Sequence, residues 1–147
     1  MSNMGSVHAT NRDLVQQQSL VAVFSGGSGG IGALSLKALA STAGVSDGKG
    51  LRTYIVARNA TAANEVISEC RKLNPDGQYH FIKVDDCALI GNVDAACVKL
   101  VEAETRNAAL VNERPRIDYL MLSHGGPIFL PRQGRSILAS REDYTND

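Results

Sequence analysis

Eight residues, SGGSGGIG from Ser25 to Gly32, include five glycines and two serines. They follow an apolar run, LVAVF at 20–24, and lead into a second apolar pattern through Ile31, Leu34, Ala38 and Leu39. A chain that turns sharply from strand to helix gathers unpaired backbone N–H groups and the positive end of the helix dipole at one point. Stripped of side chains, such a turn can bring its backbone against a phosphate. Gly27 to Gly32 also satisfies GxGxxG literally, and a second strand follows about twenty residues later, as a dinucleotide site requires. A tight βα turn with no ligand is the alternative reading of the same residues.

The end of that second strand bears on which nucleotide would bind. A site for the unphosphorylated dinucleotide places Asp or Glu there, to accept hydrogen bonds from the ribose hydroxyls. Here the strand ends VARN: Ala57 offers no carboxylate, whereas Arg58 offers a guanidinium fork suited to a 2′-phosphate. NADP is therefore the expected cofactor. Arg58 also reads as a solvated charge at a strand end.

The elements that would position these residues follow from the hydrophobic pattern. Four apolar runs, SLVAVFS (19–25), RTYIVAR (52–58), YHFIKVD (79–85) and IDYLMLS (117–123), alternate with longer helical segments. That alternation is the pattern of βα units on a parallel sheet. The first and last runs are apolar almost without interruption, as strands covered on both faces are. One helix is marked by Ile31, Leu34, Ala38 and Leu39. A second, marked by Ala63, Val66, Ile67, Cys70 and Leu73, stops at the turn signal NPDG. A third carries Val93, Ala96, Cys97, Leu100 and Val101, with Lys99, Glu102 and Arg106 on its other side. All three stripes read as core-facing. The first fourteen residues read as a disordered or loosely attached lead-in, and 41–51 as a Gly/Ser-rich connection.

Composition narrows the function classes. The 147 residues suit one domain, and 15 basic residues balance 15 acidic ones, so the bulk charge calls for neither nucleic acid nor an anionic membrane. The polar N-terminus and the lack of a long apolar run predict a cytoplasmic protein with neither signal peptide nor membrane span. Cys70, Cys87 and Cys97 have no CxxC spacing and read as reduced, half-buried thiols; no metal site is expected.

Four ordered motifs resemble the short-chain dehydrogenase/reductase family. SGGSGGIG is similar to its TGxxxGxG signature, with Ser25 in place of Thr and Gly26, Gly30 and Gly32 at the glycine positions. VARN resembles the phosphate-selective end of the second strand, VDDCAL the Asp-containing turn that touches adenine, and IDYLMLSHGG the fourth-strand motif of two Asn, Ala and Gly. The resemblance covers roughly residues 19–127 and is closest to divergent members from filamentous fungi, often in secondary metabolism. It implies that Ser25, Gly26, Ser28, Gly30, Ile31 and Gly32 line the pyrophosphate and nearby ribose, and that Arg58 and Asn59 meet the 2′-phosphate. It further implies that Asp85 or Asp86 meets the adenine amino group, and that Ser123 and Gly125 lie beside the nicotinamide ribose. Counting from the strand favours Asp85, matching DCAL favours Asp86, and either also reads as a solvated turn carboxylate.

Departures from the pattern are specific. Leu122 and Ser123 replace the paired Asn, and His124 takes the Ala place. His124 reads as a polar group at the pocket rim rather than a catalytic acid or base; His8 and His80 fall in the tail and a strand. Family chemistry uses a helix-borne Tyr, a Lys four residues later and a preceding Ser. The one literal YxxxK, Tyr79 to Lys83, sits in a strand, where four residues span about 13 Å, and precedes the fourth-strand motif. No catalytic residue is therefore assigned.

The expectation is a Rossmann-like, doubly wound α/β sheet of about four strands in order 3-2-1-4, truncated before its chemistry. Residues 1–18 form a flexible lead-in, 19–127 the NADP-binding half and 128–147 an irregular tail. The expected function is NADP-dependent carbonyl reduction or alcohol oxidation on an unidentified small molecule. The alternative is a non-catalytic NADP-binding or partner-binding module, or an inactive remnant. The exposed edge of the fourth strand is the expected place for association with another chain.

Overall fold

The computed structural model describes residues 3–45 and 48–124. Along the chain run α1 (Met4–Gln17), β1 (Leu20–Ser25), α2 (Gly30–Val45), β2 (Leu51–Ala57), α3 (Ala60–Leu73), β3 (Gln78–Lys83), α4 (Ile90–Leu110) and β4 (Tyr119–Leu122). The strands form one parallel sheet in the order β3-β2-β1-β4, the order expected from the sequence. Leu20 pairs with Leu51 and Ser25 with Val56 across β1 and β2, while Ser25 pairs with Leu122 across β1 and β4.

Two apolar layers sandwich the sheet. On one face Leu20, Ala22 and Phe24 of β1, with Leu51, Ile55 and Ala57 of β2, pack against α1, α2 and α3 through Val15, Leu36, Ala40, Ala63, Ile67 and Cys70. On the other, Val21, Val23, Tyr54, Val56 and Ile82 pack against Ala96 and Leu100 of α4. Both faces of β1 are thus covered, which is why its run shows no alternation. The α2 and α3 connections lie on one side and α4 on the other, so the winding reverses between β1 and β4. A reversal of this kind opens a crevice beyond the carboxyl ends of the strands.

Several helical expectations are corrected. The lead-in is helical over Met4–Gln17: Asn3 Oδ1 caps the first turn by accepting from Gly5 N at 3.2 Å, and Val15 docks into the core. Residues 41–45 continue α2 instead of forming a connection. Gly44 lets that last turn approach the end of α3, since a Cβ there would collide with the Leu73 carbonyl. In α2 the buried face is Gly32, Ala33, Leu36, Ala40 and Ala43, and Ile31 and Leu34 point outward. In α4 it is Ala96, Leu100, Glu104 and Ala108, with Val93, Cys97 and Val101 outside. Small residues beside Leu36 and Leu100 seat these helices against the sheet, so Ile31, Leu34, Val93 and Val101 do not mark the buried face. Of the three cysteines only Cys70 is buried, and all are free thiols.

β4 departs from the two-sided burial that its sequence suggests: Tyr119, Leu120 and Leu122 are exposed, and it pairs only with β1 among the described strands. Its start is fixed by side chains. Val21 N donates to Asp118 Oδ2 at 2.8 Å, and Arg116 Nη2 donates to Ser19 O at 2.9 Å. No helix among the described residues is long and apolar enough to cross a membrane.

Candidate functional site

At the carboxyl ends of the strands lies a cleft of about 570 Å³ lined by Gly26, Ser28, Ala57, Arg58, Asn59, Asp86, Cys87, Ala88, Ser123 and His124. Its residues come from the turn after each of the four strands, so the sheet itself brings together positions a hundred residues apart.

The glycine turn forms one wall, and its glycines differ in why they are glycine. Gly26 has φ +88°, its N–H donates to Val56 O at 2.9 Å, and an added Cβ would come within 2.8 Å of Ser123 Oγ. Gly32 faces the same hydroxyl from the first turn of α2, and its Cβ would lie 2.6 Å from Gly26 O. These two are required by close packing of β1, α2 and the end of β4. Gly29 is different. A Cβ there would meet nothing within 4 Å, and its φ lies outside the left-handed region, so the protein itself gives no reason for a bare backbone. The open space in front of Gly29, at the entrance to α2, suits an anion approaching main-chain N–H groups.

Ser28 lines the cleft directly, whereas Gly30 and Ile31 sit exposed on the opening of α2 and Gly32 is enclosed behind it. Ser123 is held to β1 twice, its N–H donating to Ser25 O at 2.8 Å and its Oγ to the same carbonyl at 3.0 Å. That hydroxyl fills the space between Gly26 and Gly32. Gly125 lies outside the described residues.

Across the cleft, Arg58 is exposed and its guanidinium has no hydrogen-bond or ion-pair partner among the described residues. The side-chain oxygen of Asn59, beside it, is engaged within the fold, where it caps α3 by accepting from Ala62 N at 3.1 Å. The amide nitrogen of the same side chain can only donate. Of the two aspartates, the structure brings Asp86 into the cleft. Its Oδ1 accepts from Ala88 N at 2.9 Å, and its carbonyl from Asn92 Nδ2 at 3.0 Å, which fixes the turn into α4. Asp85 points to solvent and pairs with Lys83 at 3.4 Å.

Sequence reasoning placed His124 at the rim but did not find its partners. Its Nε2 lies 3.0 Å from Ser25 Oγ and 3.2 Å from Cys87 Sγ. Cys87 carried no signal of its own, because its neighbour is distant in sequence and comes from the other edge of the sheet.

The YxxxK pair is no acid/base dyad. Tyr79 is buried against α3, with its hydroxyl donating to Asn74 O at 3.4 Å, and burial pushes its pKa up to about 12. Lys83 is exposed and engaged with Asp85. His80 stacks on Tyr54 beneath the sheet, its ring centroid 5.1 Å away, and burial lowers its pKa. No group of three His, Cys, Asp or Glu side chains among the described residues could hold a metal.

With this geometry in place, sequence comparison identifies relatives. The chain is 41% identical over 128 residues to SAT2, a short-chain dehydrogenase/reductase of Stachybotrys chartarum, in an alignment covering 87% of this chain and 36% of that protein. It is 32% identical over 126 residues to the oxidoreductase AN1596 of Emericella nidulans, covering 86% of this chain and 33% of that one. The chain thus spans about a third of the length of the curated relatives it matches. A crystal structure described as a short-chain dehydrogenase of Shigella flexneri superposes with a TM-score of 0.48 at 18% identity, over 78% of this chain and 42% of that one. No family model matches.

Proposed function

We propose that the chain, similar over most of its length to a short-chain dehydrogenase/reductase, is a member of that family and that its cleft is the NADP site of an oxidoreductase acting on a carbonyl or alcohol. One observation carries the nucleotide reading: Gly29 is bare although no protein atom stands where its side chain would be. An unfilled space at a helix entrance, on the carboxyl side of a parallel sheet, fits a diphosphate.

Preference for the phosphorylated dinucleotide rests on Arg58. Its guanidinium, without a partner among the described residues, stands at the end of β2, where Ala57 supplies no carboxylate to the ribose. A 2′-phosphate there would take two parallel N–H···O bonds from the fork. Asn59 can add a donor while its oxygen holds the α3 cap. In this reading Asp86 meets the adenine edge, and Ser123, tied to Ser25, the far ribose.

When bound, the cofactor supplies or accepts the hydride. This chain's residues bind and orient it; none of those in the cleft is assigned the proton transfer to substrate. Secondary metabolism is the proposed setting, on the sequence's likeness to divergent fungal members alone. The second reading is a module that binds NADP without turning over substrate.

Titration of the purified chain with NADPH and NADH tests the proposal. Tighter binding of NADPH is expected, and equal affinity for the two refutes the phosphate assignment. Reduction of a carbonyl panel by this chain would exclude the module reading.

A further inference from the structure

β3 and β4 are the two outer strands of the sheet, separated by β2 and β1. With neighbouring strands about 4.8 Å apart, their ends stand roughly 14 Å from each other. Yet Cys87, in the turn after β3, and His124, directly after β4, touch: Sγ lies 3.2 Å from Nε2. This contact can form only by reaching over the ends of the two central strands, across the cleft. The same Nε2 is 3.0 Å from Ser25 Oγ at the end of β1, which holds the imidazole over the strand next to β4.

Both members of the contact line the cleft. A planar base or a sugar needs about 7 Å between the walls that enclose it, twice the carbon–carbon contact distance of roughly 3.5–4.0 Å. Atoms at 3.2 Å leave no such slot. A ligand reaching from Arg58 beyond β2 to Ser123 beyond β4 occupies the same cleft as the Cys87–His124 contact.

We infer that Cys87 and His124 form a latch across the cleft, closed in the free protein, which must part before a dinucleotide seats. This inference rests on the nucleotide reading given above and adds a conformational step to it. The cost is one sulfur contact, with the Ser25 hydroxyl free to keep or release the imidazole. Apparent affinity is then reduced by the fraction of molecules that are open. The latch also sets His124 apart from a nucleotide ligand: its removal strengthens binding.

The experiment titrates the 147-residue chain with NADPH, followed by nucleotide fluorescence, in the wild type and in the Cys87→Ala and His124→Ala variants. Cys87→Ala keeps the imidazole and His124→Ala keeps the thiol, so the two share only loss of the contact between them. Both variants are expected to lower Kd by roughly fivefold, the weight of about one net hydrogen bond in the closed state. Thermal unfolding of each free variant reports that it is folded; where one is not, His124→Phe and Cys87→Val break the same contact with the volume retained. Unchanged or weaker binding by either folded variant overturns the latch, and weaker binding by His124→Ala alone makes His124 a nucleotide contact. Absence of NADPH binding in all the proteins overturns the nucleotide reading, and the latch with it.

Discussion

Arg52 in β2 and Glu104 in α4 form a two-pronged ion pair beneath the sheet, Nε to Oε2 at 2.8 Å and Nη2 to Oε1 at 2.9 Å, with both side chains less than a tenth exposed. Tyr54 donates to the same carboxylate at 2.8 Å, and the Arg116 backbone N–H reaches it at 3.3 Å. One buried carboxylate therefore joins β2, α4 and the segment entering β4. Because β4 has few apolar contacts of its own, these polar ties help set where His124 and Ser123 stand. Replacing Glu104 by Ala leaves Arg52 buried without its main partner and is expected to cost about 3–5 kcal/mol. Urea unfolding measures it; a loss below about 1 kcal/mol would mean that Glu113, 3.4 Å from Arg52, takes over the pairing.

The same pair sets a pH dependence. Burial alone would raise the Glu104 pKa, but hydrogen bonds from Arg52 and Tyr54 outweigh it and hold the folded value below the ordinary 4.5. Folding thus favours the ionised form. The stability it contributes is present above pH 4.5 and is lost as pH falls through the lower folded value. Acid unfolding of the wild type is expected to steepen in that window, and Glu104→Gln to flatten it. Denaturant midpoints at a series of pH values between about 2.5 and 6 make the comparison; parallel curves for the two proteins would contradict the assignment.

The glycine turn separates packing from ligand binding. Gly32→Ala forces a methyl into the Ser123 hydroxyl and the Gly26 carbonyl, and is expected to destabilise the fold by about 1–3 kcal/mol. Gly29→Ala meets no atom, so stability should hold or rise by up to about 1 kcal/mol. NADPH affinity should nevertheless fall about tenfold or more, because the methyl occupies the space offered to phosphate. Thermal unfolding and NADPH titration on both variants discriminate: full affinity in Gly29→Ala removes the central support for the nucleotide site.

How far these relationships can be read from sequence depends on where each contact is made. β1 and β2 are legible because both faces are covered and every residue of Leu20–Phe24 and Leu51–Ala57 is buried. α2 was located but rotated, since Gly32, Ala33, Ala40 and Ala43 form its buried face while the larger Ile31 and Leu34 remain outside. Glu104 gave no signal at all. A carboxylate on a helix reads as solvated, and only the fold reveals Arg52 and Tyr54 opposite it. The cleft residues Ser28, Arg58, Asn59, Asp86 and Ser123 were identified from motif order, which fixes the strand ends. Which of Asp85 and Asp86 lines the cleft depends on the turn itself, where the Ala88 N–H captures Asp86 while Asp85 pairs with Lys83. The Cys87–His124 contact joins opposite edges of the sheet, and no local pattern encodes it.

Arg58 and Asn59 can be tested apart because one lacks a partner among the described residues and the other has one. Arg58→Ala removes a solvent-facing side chain with no hydrogen bond among those residues, so stability should stay within about 0.5 kcal/mol. NADPH affinity should fall roughly tenfold, the loss of a charge-assisted pair with the 2′-phosphate, while NADH affinity is unchanged. Asn59→Ala removes the α3 cap and should cost about 1 kcal/mol before any ligand is added. Asn59→Asp keeps an oxygen to accept the Ala62 N–H, so the helix remains capped, but it sets a negative charge beside the proposed phosphate. That variant is expected to unfold at the wild-type temperature and to weaken NADPH more than NADH. If Asn59→Asp instead affects the two nucleotides equally, residue 59 lies away from the 2′-phosphate and its role is that of a helix cap alone.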